Sequence, residues 1–117
     1  MTDDLEFALL ARLREVVDGA PVSEVELRRL SEHGDAWERA LEAQIRASEK
    51  RMEELSASEA SSLAAIAAEL RRLEKLRPEL NEVRDRLGQL RARAQELRTT
   101  WLLQQASAKP AGPGSAG

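Results

Sequence analysis

The sequence predicts an all-α protein: two short N-terminal helices, then one long, Pro-kinked coiled-coil helix and a disordered C-terminal tail. Three observations carry that prediction. Positions seven apart form two mostly apolar rows, Ile45, Met52, Glu59, Ile66, Leu73, Leu80, Leu87, Ala94 and Trp101 in one and Leu41, Ser48, Leu55, Ser62, Glu69, Leu76, Val83, Leu90 and Leu97 in the other, as in helices that pack on helices. Composition agrees, since Ala, Leu, Glu and Arg are strong helix formers and 33% of the residues are charged. Aromatic residues make up only 3%, too few for an ordinary globular core.

The first helix is expected to begin at Asp3, whose side chain can accept from free backbone N–H groups while Glu6 reaches back as the second half of a capping box. Leu5, Leu9, Leu13 and Val16 form its apolar face, widened by Phe7, Leu10 and Val17. Gly19 then supplies a left-handed closing residue, and Pro21 cannot continue the ladder. A second short helix starts at Ser23, with Glu26 as its capping-box partner and Val22 packed on Leu27, and it ends where Gly34 follows His33. These two helices form an N-terminal segment, 1–34. Asp35 and Glu38 open the long helix, 35–105, which would span about 100 Å if unbroken.

Two places interrupt that long pattern. Residues 56–62 are Ser-rich and poor in seam residues, so the alternative there is the turn of a helical hairpin. The seven-residue phase passes through them without a shift, however, which predicts a continuous helix. Pro78 removes one ladder hydrogen bond, and because Leu73, Leu76, Leu80 and Val83 keep their spacing around it, a kink is expected rather than a loop. Residues 106–117 contain Pro110, Pro113 and no apolar side chain larger than Ala, which predicts the disordered tail.

Chemistry finds little footing in these residues. There is no cysteine and a single histidine, His33, expected as a cap or a solvent-facing side chain at a helix C-terminus. No glycine-rich loop follows a strand, no carboxylates cluster with metal-ligand spacing, and no apolar run reaches the length of a membrane span. The expectation is a non-enzyme with no cofactor, metal, small-molecule substrate or membrane span, placed inside the cell, in the cytoplasm first and the nucleus second. Nucleic acid is disfavoured as a partner, because the arginines of residues 71–98 are interspersed with acids and no aromatic is available to stack on bases.

Charge patterning is more informative. Residues 1–60 carry 8 basic and 15 acidic side chains (net −7), whereas residues 61–117 carry 10 and 6 (net +4). With Leu73 at position a and Leu76 at d, the seam is flanked by Arg77, Arg84, Arg91 and Arg98 at e and by Arg72, Glu79, Arg86 and Arg93 at g. A parallel homodimer would set most of these arginines against one another, so the pattern predicts a separate, acidic-flanked partner helix. Glu42 and Glu49 could supply an internal acidic flank, but two carboxylates do not balance seven arginines. The expected interface is therefore Leu73, Leu76, Leu80, Val83, Leu87, Leu90 and Leu97 in the seam, Arg84, Arg91 and Arg98 beside it, and Trp101 as an aromatic anchor at its end.

In general design the chain is similar to small coiled-coil subunits of hetero-oligomeric assemblies, although no motif carries that similarity to a family. The expected function is a non-catalytic scaffold or assembly subunit that pairs with helical partners through residues 62–105. The competing expectation is a regulatory adaptor whose N-terminal helices form a docking module and whose coil dimerises it.

Overall fold

A computed structural model of the chain describes residues 2–60 and 62–108, which form three α-helices and no strand: α1 (Thr2–Val17), α2 (Glu24–Ala57) and α3 (Leu63–Ala108). The fold is an antiparallel hairpin of α2 and α3 with α1 laid against both. It extends over 86 × 23 × 19 Å with a radius of gyration of 22.0 Å. A compact chain of this length would have a radius near 13 Å. None of the described helices is long and apolar enough to cross a membrane.

The continuous helix expected over 35–105 is replaced by a turn between α2 and α3. Ser58 donates its N–H to the Leu55 carbonyl at 3.3 Å, and Ser62 accepts from the Ala65 N–H through Oγ at 3.1 Å and from the Ile66 N–H through its carbonyl at 3.3 Å. The Ser62 hydroxyl thus caps the start of α3, whereas α2 closes through a backbone bond from Ser58. An unbroken seam could be buried only by another chain; folding back lets each arm bury the other.

The second correction concerns Gly34. It does not cap a short helix but lies buried in the middle of α2, where an added Cβ would collide with the end of the Leu87 side chain. This Gly thus lies at the approach of α3, not at a helix terminus. Consequently Asp35 and Glu38 are interior helical residues, and His33 is an exposed side chain at mid-helix, away from any helix end. Gly34→Ala would add up to about 1 kcal/mol of helix propensity. Overpacking typically costs about 1–3 kcal/mol, so a net fall in thermal midpoint is expected despite the better helix former.

Other boundaries follow the sequence more closely. Ser23 caps α2, its Oγ accepting from the Glu26 N–H at 3.1 Å. The Glu26 carboxylate is used differently from a capping box: it takes Arg12 of α1, at 2.9 Å from Nε and 2.6 Å from Nη2. Arg12 also donates to the Pro21 carbonyl at 2.9 Å, so one guanidinium ties α1, the connecting loop and α2. Gly19 carries φ +107°, the left-handed closure expected after α1. Helix α1 already includes Thr2, so Asp3 is helical and not the residue before the helix; its side chain lies outside those described. Helix α3 runs through Pro78 and on to Ala108, and the remainder of the tail expected at 106–117 lies outside the described residues.

One core joins the three helices. Leu13 and Val16 of α1 meet Leu27, Leu30, Trp37, Leu41 and Ile45 of α2 and Leu73, Leu76, Leu80, Val83, Leu87, Leu90 and Ala94 of α3. The buried positions of α3 keep the alternating three- and four-residue spacing read from the sequence. Two of the four polar breaks in the predicted seam, Ser48 and Glu69, meet across the hairpin: buried Ser48 donates through Oγ to Glu69 at 2.5 Å, and Arg51 holds the same carboxylate at 3.3 Å.

Candidate interaction surface

Leu73, Leu76, Leu80, Val83, Leu87 and Leu90, expected at an interface with a separate helix, are buried in the core of this chain. Leu97 and Trp101 are partly buried against that core. The flanking arginines follow the same inward logic. Arg77 pairs with Glu49 at 3.2 Å, Arg84 with Glu42 at 2.9 Å and Glu38 at 3.1 Å, Arg91 with Asp35 at 2.9 Å, and Arg98 with Glu24 at 3.0 Å. The acidic-flanked helix that the e-position arginines call for is therefore α2. Asp35, Glu42 and Glu49 stand seven apart, and antiparallel packing sets them opposite Arg91, Arg84 and Arg77.

These contacts leave a different set of groups uncommitted. At the g positions, Arg86 bonds the Gln89 side chain at 3.2 Å and Arg93 pairs with Glu96 at 3.3 Å. Arg72 has no ion pair among the described residues, nor do its neighbours Arg71 and Lys75, and all three are exposed. They stand over an open groove of about 1170 Å³ where α2 and α3 run on beyond the first turns of α1. Phe7 is 74% exposed at its edge, Leu10, Ala47 and Ala68 with core residues Trp37, Leu41 and Leu76 supply its apolar lining, and Glu6, Glu79 and Glu82 line it beside the cations. The Trp37 indole N–H is buried with no acceptor among the described residues.

A second apolar surface lies near the C-terminal end of α3, where Leu102 and Leu103 are 66% and 65% exposed beside half-buried Trp101. The groove and this cluster are separated by about thirty residues of one helix, roughly 45 Å. Trp101 belongs to the apolar row visible in the sequence, whereas no sequence pattern sets Phe7, Arg71 and Lys75 together. The signal for the groove was a length mismatch, since α1 has 16 residues and α2 has 34.

Among the described residues no group of three or more His, Asp or Glu side chains is placed to hold a metal ion, and His33 does not line the groove. No known protein family, curated protein or solved structure matches this chain.

Proposed function

We propose that the chain is a non-catalytic assembly subunit: a narrow coiled-coil hairpin that joins helical partners at surfaces its own folding leaves uncovered. The observation that carries this reading is that the heptad seam is consumed internally, yet Phe7, Val25, Leu63, Leu70, Leu102 and Leu103 remain exposed along the hairpin. Exposed apolar surface of this kind on a chain whose seam is already buried supports a protein-binding role. The adaptor alternative needs an autonomous N-terminal module. Leu13 and Val16 share one core with α3, which removes support for that alternative.

Native co-purification of the tagged full chain tests the proposal. One or more proteins should be recovered in stoichiometric amounts, and Leu102→Ser with Leu103→Ser should release any partner held at the α3 end. Trp101→Ala should weaken that contact about thirtyfold, the factor equivalent to the ~2 kcal/mol typical of an aromatic anchor. A chain recovered alone and monomeric would count against the assembly reading.

A further inference from the structure

The cations of α3 differ in their partners. Arg77, Arg84, Arg91 and Arg98 each meet a carboxylate of α2, Arg86 and Arg93 bond side chains of α3 itself, and Arg71, Arg72 and Lys75 meet no carboxylate among the described residues. The last group stands where the third helix is missing. Helix α1 covers only part of the face that α2 and α3 share, and beside Phe7 and Leu10 that face continues as the open groove. Exposed Ala47 and Ala68 are lining residues small enough to let another helix approach closely, and the nearly buried core residues Trp37, Leu41 and Leu76 form the floor between them.

Resting on the assembly reading, we infer that this groove docks an amphipathic helix of another protein, with small apolar residues in its seam and carboxylates along the edge facing Arg71, Arg72 and Lys75. Such a helix continues the layer that α1 begins. Charge argues for this occupant over the others. Arg51 and Glu82 of the lining are already paired with Glu69 and Arg14, and Arg71, Arg72 and Lys75 outnumber Glu79, so two copies placed groove to groove would each present net positive charge, which opposes self-association. A polyanion such as single-stranded nucleic acid would satisfy the cations but leave the apolar lining uncovered, and among the described lining residues Phe7 is the one exposed aromatic, too few to stack successive bases.

The probe is a fluorescein-labelled helical peptide of about three heptads, with Leu and Ala at seam positions and Glu at flanking positions, titrated into the full chain by fluorescence anisotropy. Its sister peptide carries Lys in place of Glu. The Glu peptide should bind at least about tenfold more tightly than the Lys peptide, with an affinity that falls as salt rises. Arg71→Glu with Arg72→Glu and Lys75→Glu should reverse that preference. Ala68→Glu should abolish binding of the Glu peptide. All these positions are exposed, and circular dichroism should show unchanged helix content in each variant. Equal affinity for the two peptides, absence of Glu-peptide binding, or binding untouched by Ala68→Glu would overturn the inference. So would a wild-type dimer in sedimentation that Ala68→Glu dissolves, or a 20-nucleotide single strand that binds more tightly than the peptide and is lost in the triple variant. The two readings fail differently. If a co-purified partner survives Ala68→Glu but is lost with Leu102→Ser and Leu103→Ser, the groove inference falls while the assembly reading stands. If the chain purifies alone, the assembly reading falls and the peptide titration decides the groove by itself.

Discussion

Leu87→Ala is expected to destabilise the fold by about 2–5 kcal/mol, the range for deleting a Leu side chain from a packed core. Leu87 is 1% exposed and stands against Gly34, where α2 presents no side chain of its own. The space left by truncation therefore has backbone on one side, which cannot collapse to fill it. Leu55→Ala, at a half-buried position near the turn, should cost clearly less. Chemical denaturation of both variants checks this, and equal losses would show that the core is not centred where Leu87 meets Gly34.

The second large effect is expected from reversing Arg84, Arg91 and Arg98 together to Glu. Each single pair is exposed and contributes little by itself. Reversal does more than remove three pairs, because Glu38, Glu42, Asp35 and Glu24 would then face like charges along one side of the hairpin. The thermal midpoint should fall markedly at low salt and recover as salt is added. Reversing Asp35 and Glu42 to Arg in the same protein should restore much of it. Under the sequence-based expectation of a separate acidic partner, the triple variant would have kept its own stability and lost only a partner.

Glu24 and Glu26 give the fold a pH dependence of defined sign. Hydrogen bonds from Arg98 hold the Glu24 carboxyl below its ordinary value, and those from Arg12 do the same for Glu26, each outweighing the opposing effect of burial. Both pairs therefore stabilise the native chain fully above the unfolded glutamate value of about 4.3, and that contribution is lost as pH falls through the lower folded values. Acid titration of the thermal midpoint should show a drop over that window. Glu24→Gln should make it shallower.

Much of this fold was legible because helix packing follows local periodicity. The buried row of α3 repeats the spacing read from the sequence, and the ends at Gly19 and Ser23 follow from backbone geometry and hydroxyl chemistry available in the sequence. The turn was not resolved by the same reasoning, because an unshifted heptad phase does not distinguish a straight helix from two arms that each bury the same stripe. Gly34 misled for a related reason. A Gly ends a helix or admits a neighbour, and only the position of Leu87 decides which. The decisive signal was long-range: Asp35, Glu42 and Glu49, read backwards, mirror Arg91, Arg84 and Arg77. The groove was hidden more deeply, since it depends on where α1 stops along a face that only the hairpin creates.

The central claim is that α2 of the same chain is the helix to which the Arg-flanked seam of α3 packs. The chain has no cysteine, so spin labels can be placed at will. Ala43→Cys and Asp85→Cys lie at exposed positions on the two arms. Pulsed dipolar spectroscopy on the doubly labelled protein, diluted with unlabelled chain to suppress intermolecular signals, should give a distance below about 30 Å, as expected for labels on neighbouring helices. A distance near 63 Å, the length of about 42 residues of unbroken helix, would contradict the hairpin and return the seam to an external partner.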